Sequence, residues 1–123
     1  MPGRLLALSI EARDEVTVLV LAGEIDALSV DELDGALGKA AHRKKPVVID
    51  VSNLGYIDSS VFRAIYQASE HLPVSIVVAP GSVLARTIRL AGTSAKIPVF
   101  PDIDSAGAQA ASRTSAAHTF PGG

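Results

Sequence analysis

Hydrophobic and polar positions along the chain alternate at two different periods. Residues 4–11 and 15–22 read as two strands around Asp14-Glu15, with Val16, Val18 and Val20 on one face of the second and Thr17, Leu19 and Leu21 on the other. Two apolar faces predict a strand covered on both sides, joined to the first strand by a hairpin. From Ser29 the period becomes helical. Leu33, Leu37 and Ala41 recur at helix spacing, Ser29 and Glu32 form a capping box at the start, and Arg43-Lys44-Lys45-Pro46 stops the run. The basic residues there complement the negative end of the helix dipole. Strand 47–51, helix 59–71 and strand 74–79 follow, and Pro80-Gly81-Ser82 then opens a third helix with Leu84, Ile88 and Ala91 on one face and Gly92 at its end. A short segment Ile97-Pro98-Val99-Phe100 and an alanine-rich helix near 103–112 complete the pattern. Alternating strands and helices predict an α/β fold, with a mixed β-sheet of about four to five strands packed with about four α-helices.

Composition narrows the possible functions. A chain of 123 residues with 48% hydrophobic content makes one domain with a core and is too short for two. We place that domain at 1–112 and read 113–123, which mixes small and polar residues without periodicity, as a flexible C-terminal tail. A formal net charge of −2, with two Tyr, three Phe and no Trp, supplies neither a basic field nor stacking surfaces, so neither nucleic acid nor a membrane is an expected partner. The apolar run Leu5-Leu6-Ala7-Leu8 is cut by Ser9 and Glu11, and no stretch reaches the about 20 apolar residues of a membrane span. A soluble, cytoplasmic protein is the expectation. The chain has no Cys, and His42, His71 and His118 lack paired ligand spacing, so no metal site is expected. No Gly-x-Ser-x-Gly, P-loop or dinucleotide-binding glycine pattern occurs, and the expectation is a non-enzyme with no cofactor of its own.

The most informative stretch runs from Val47 to Ser60, where a buried strand leads into Asp58-Ser59-Ser60. An acid and two hydroxyls before an amphipathic run read as a helix start, with Ser59 as the N-cap. Its hydroxyl would then sit beside unpaired backbone N–H groups at the positive end of the helix, where added negative charge is tolerated. Capping alone, worth about 1 kcal/mol, also accounts for a serine here. Glu24 and Asp26 could likewise only end a strand and begin a turn. Arg86 and Arg89 share the polar side of the third helix and read first as a solvated face, with an acidic-partner patch as the alternative.

Three short signatures carry a family resemblance. Gly23-Glu24-Ile25-Asp26 is similar to the Gly-Glu-(Leu/Ile)-Asp of the STAS domain of bacterial anti-sigma factor antagonists. Asp58-Ser59-Ser60 is similar to that family's Asp-Ser-Ser-Gly phosphorylation loop, and Leu90-Ala91-Gly92 followed by Ile97-Pro98-Val99-Phe100 resembles its closing helix and strand. Each is weak alone, but together and in order they are specific. The resemblance implies phosphorylation at Ser59, a site lined by Asp26, Asp58, Ser60 and Val61, and a partner-binding surface of Glu24, Ser59, Ser60, Phe62 and Arg63. The implied partner is an anti-sigma factor of the serine kinase, histidine-kinase-like ATPase type. It is bound by the unphosphorylated form and released on phosphorylation, and ATP and magnesium belong to that partner. The chain itself is expected to be a monomer. The sequence departs from the family at Val61, which replaces the Gly after the serines, at Thr93 in place of Leu, and at His71-Leu72-Pro73, which leads straight into the next strand. Val61 is expected to add bulk where a kinase approaches the backbone. Its presence supports the alternative, an unphosphorylated scaffold or small-ligand-binding subunit of a signalling or transport assembly.

Overall fold

At the centre lie two parallel strands, β2 (Thr17–Ile25) and β3 (Val47–Ile57), in which Val18, Leu19, Val47, Val48 and Ile49 are all 0% exposed. The computed structural model describes residues 7–13, 15–25, 29–57, 59–90 and 97–109. β1 (Ala7–Ala12) pairs antiparallel with β2, from Ala7 opposite Ala22 to Ala12 opposite Thr17, as the predicted hairpin requires. β4 (Val74–Val77) and β5 (Val99–Phe100) add in parallel beyond β3. The result is a mixed sheet of five strands in the order β1-β2-β3-β4-β5. Helices α1 (Val30–His42), α2 (Ser59–Ala68) and α3 (Val83–Leu90) make the connections between the parallel strands, and a further helix, α4, occupies 103–109.

Strand order explains the layering. Each crossover moves one strand in the same direction, and crossovers of one hand then place their helices on one face. Leu33, Ala36, Leu37 and Ala40 of α1, Val61, Ala64 and Ile65 of α2 and Ile88 of α3 pack there against Leu19, Leu21, Val47, Ile49, Val51 and Ile76. The opposite face presents Val16, Val18, Val48 and Val77, which Ala106 and Ile103 of α4 cover. The two faces of β2 are therefore both buried, as their apolar alternation predicts. Each Val, Leu or Ile so buried contributes about 1.5–3 kcal/mol.

Several element ends differ from the sequence reading. β3 runs on to Ile57 instead of stopping at 51, because β2 stays alongside it. Ala22 pairs with Asn53 and Ile25 with Ile57, with register shifts between Val20 and Ala22 and between Gly23 and Glu24. Polar Ser52 and Asn53 sit in this irregular stretch, where Asp50 Oδ1 accepts the Ser52 N–H at 2.9 Å. Gly23, at φ 94°, takes a backbone conformation that a side chain would strain. α2 ends at Ala68 rather than 71, since the Ala68 carbonyl accepts both the His71 and the Leu72 N–H, at 3.0 and 3.2 Å. β4 ends at Val77 rather than 79, after which only the Val78 N–H continues the ladder, to the Phe100 carbonyl at 3.1 Å. The Ser29 side chain makes no cap hydrogen bond, because Ser29 is already helical at φ −91°, ψ −9°. Its carbonyl instead accepts the Glu32 N–H at 3.0 Å. Ser82 does cap α3, its hydroxyl accepting the Ala85 N–H at 3.1 Å. Asp102 caps α4 by accepting the Ser105 N–H at 2.7 Å, which holds its carboxyl below the usual carboxylate range. Gly92 and the 113–123 tail lie outside the described residues. Among the described residues no helix is long and apolar enough to cross a membrane.

Two positions carry unrelieved local costs. Lys44, just past α1, has φ 57° while its N–H donates to the Ala41 carbonyl at 3.1 Å. A glycine there would avoid the left-handed penalty of about 1–2 kcal/mol, partly offset by its freer unfolded chain. Lys44→Gly should therefore raise stability by about 1 kcal/mol, seen as a higher urea midpoint at unchanged slope; an unchanged midpoint would contradict this. The hydroxyl of Thr17 is buried with no hydrogen-bond partner. Thr17→Val keeps the shape and removes the orphaned group, so a gain of about 1 kcal/mol is expected in the same titration.

Candidate functional site

The register of β2 against β3 builds the site. Glu24 lies opposite Tyr56 and Ile25 opposite Ile57, so the end of β2 stands beside the junction from which α2 departs. α2 begins at Ser59, which is therefore the first residue of the helix. This corrects the expected N-cap and changes what Ser59 can do. Its side chain is exposed, and its hydroxyl has no hydrogen-bond partner among the described residues. Ser60 is half-buried and engaged in interactions of its own. Of the two serines, the first is the more exposed.

Helical periodicity sorts the rest of α2. Val61, Ala64 and Ile65 face the core, whereas Arg63, Tyr66 and Gln67 are exposed and Phe62 is half-buried against the core cluster. Ser59, Arg63 and Tyr66 thus share the outward side over two turns, with Phe62 at its border. Tyr66, 41% exposed, is absent from the sequence-based surface. Its spacing of seven from Ser59, two helical turns, is the signal that would have found it. Glu24 is exposed on the neighbouring strand end. The structure therefore brings Glu24, Ser59, Ser60, Phe62 and Arg63 to one end of the sheet, while Asp26 and Asp58 lie outside the described residues.

Val61 requires a correction. It is 0% exposed and belongs to the core beneath the helices, so its bulk points away from anything that approaches Ser59 from solvent. It underlies the site and does not line its surface. The cost of losing it follows from burial plus helix propensity, about 1.5–3 and about 1 kcal/mol. Val61→Gly should lower stability by about 3 kcal/mol in chemical denaturation, and Val61→Ala by about half as much; a loss below about 1 kcal/mol for Gly would place the side chain outside the core.

The electrostatics at Ser59 are mixed. The positive end of the helix dipole favours an anion, and Arg63, one turn on, adds an exposed cation. Glu24 opposes added negative charge. Among the described residues no cluster of His, Asp or Glu is arranged to hold a metal ion.

A mixed five-stranded sheet with its crossover helices on one face, and an exposed serine opening the second of them, defines a small α/β module of the STAS type. The STAS domain family matches residues 7–106, and the chain belongs to that family. It is 30% identical over 105 residues to the anti-sigma-F factor antagonist RsfB of Mycobacterium tuberculosis, covering 82% of this chain and 86% of that protein. An anti-sigma factor antagonist from Mycobacterium paratuberculosis superposes with a TM-score of 0.77 at 24% identity, over 85% of this chain and 93% of the other. SpoIIAA of Bacillus in its phosphorylated form superposes at 0.59 with 17% identity, over 80% and 96% of the two chains. These solved structures support the fold.

Proposed function

We propose that this protein is an anti-sigma factor antagonist that works by partner switching, with Ser59 as the phosphorylated residue. The observation that carries the reading is the exposed Ser59 at the first residue of α2, its hydroxyl without a hydrogen-bond partner among the described residues, in a chain related at 30% identity to an anti-sigma-F factor antagonist. Unphosphorylated, the surface formed by Glu24, Ser59, Ser60, Phe62, Arg63 and Tyr66, with Asp26 and Asp58 expected at its rim, docks on an anti-sigma factor of the histidine-kinase-like ATPase type. That partner supplies ATP and magnesium and transfers the phosphoryl group to the Ser59 oxygen, and the serine proton is released.

Magnitudes decide where the switch acts. Phosphate adds about −1.5 to −2 charges. Repulsion from one carboxylate about 6 Å away in near-aqueous dielectric is roughly 1 kcal/mol, which the helix N-terminus offsets by about 0.3–1 kcal/mol. Arg63 offsets more. The fold therefore survives modification. At a docked interface, where water is excluded, like charges cost several kcal/mol, enough to weaken binding about 100-fold or more. The burial of Val61 supports the switch reading over that of an unmodified scaffold.

Incubation with the source organism's anti-sigma kinase and ATP should add a single phosphate, which peptide mass spectrometry should place on Ser59 and not Ser60. In titration calorimetry against the same partner, Ser59→Ala should bind at least as well as the wild type and Ser59→Asp more weakly. Both should melt within about 1 kcal/mol of the wild type, because Ser59 is not the capping residue. Equal binding by the two variants, or phosphate on Ser60, would overturn the assignment.

A further inference from the structure

α3 is poorly covered for an element of the core. Ile88 alone is buried, with Leu84 and Ala85 half-buried against the core, while Val83 is 81% and Leu90 79% exposed. Two such residues standing singly would need no account. Here two hollows share Gly81, Ala85 and Arg89, and Val83 lines one of them. One, of about 350 Å³, is an apolar groove between α3 and the edge strand, lined by Val78, Pro80, Ala85, Ile88, Val99 and Phe100. The other, of about 310 Å³, lies over the start of α3 beside Val83 and Arg86. Arg89 lines both. Arg86 and Arg89 are exposed and form no ion pair among the described residues, where the pair seen is Arg13 with Glu11. The first acid past the groove, Asp102, accepts from the Ser105 N–H.

We infer that the α3–β5 groove is a second docking surface, for a segment of a partner protein that carries carboxylates beside an aliphatic or aromatic side chain. The groove takes the apolar side chain, and Arg89 and Arg86 take the carboxylates. Charge complementarity fixes this occupant: α3 contains two cations and no acid. A guanidinium pairs with a carboxylate through two parallel N–H donors. Two arginines on a chain of net charge −2 are too few to hold an anionic bilayer or a nucleic acid backbone. The stretch 113–123 contains Arg113 and no Asp or Glu, so it does not match the site. The surface is separate from the outward side of α2, and it does not depend on the phosphorylation of Ser59.

The test uses the full chain, isotope-labelled for amide NMR, and a short synthetic peptide of alternating Glu and Leu. Shift changes should concentrate in residues 80–90 and 99–101, be absent with a Lys-Leu peptide, and weaken with a Glu-Ser peptide. Arg86→Glu combined with Arg89→Glu should raise the apparent Kd about ten-fold or more, and the milder Arg86→Gln/Arg89→Gln pair, which keeps the volume, should do so in part. Ser59→Asp should bind the peptide as the wild type does. Shift changes centred on α2, equal binding by the charge-reversed form, no binding at all, or arginine-dependent capture by phosphatidylserine vesicles in place of the peptide would each overturn the inference.

Discussion

The parallel pairing of β2 with β3 is held in register by one charged side chain as much as by the apolar ones around it. Val47, Ile49 and Val51 face α1 and α2, so Asp50 faces the other side of the sheet, where it is 8% exposed and accepts the Ser52 N–H. A slip of one residue would carry that carboxylate into the dry layer beneath the helices, at the cost of an unpaired buried charge. Everything outward of this pair inherits its register. β1 and β4 take their positions from it, the crossovers take theirs from the strands, and the site at the start of α2 exists because β2 ends beside it.

α2 divides its labour by side. Val61, Ala64 and Ile65 tie it to the sheet, and Ser59, Arg63 and Tyr66 meet solvent. Because those roles belong to different side chains, a charge added at Ser59 alters the surface without entering the core. The same separation gives the bulky Val61 its place: the residue fills space under the helix and leaves the outward side unchanged.

The sequence made much of this legible where the apolar pattern was regular. The two buried faces of β2, the hairpin to β1 and a mixed sheet of about this size follow from periods of two and 3.6, whereas the α1 face was placed in part: Leu33 and Leu37 are buried, but Ala41 is exposed and Ala36 and Ala40 are buried in its stead. It misled where local polarity and tertiary pairing disagreed. Ser52 and Asn53 look like a loop in the chain, but a neighbouring strand carries β3 through them. Ser29 and Glu32 have the spacing of a capping box, yet a helical backbone at Ser29 sends its side chain elsewhere. Ser59 was legible as a helix start and misplaced by one residue, which decides whether its hydroxyl is bound or free. The direction of Val61 follows from helical phase, and placing the glycine of the family's loop at that position obscured it. Tyr66 was missed because no short motif reaches two turns downstream.

Strand order also sets the order in which the molecule can be assembled. Since β1 to β5 sit in the sheet as they sit in the chain, each strand emerging from the ribosome finds its neighbour already made, and no early segment waits for a distant late one. The exception is the face opposite the crossover helices. Val18, Val48 and Val77 stay bare until 103–109 is synthesised and folds over them, so a nascent chain halted before that helix would display a sticky apolar sheet, and quality control has a defined surface by which to detect unfinished copies.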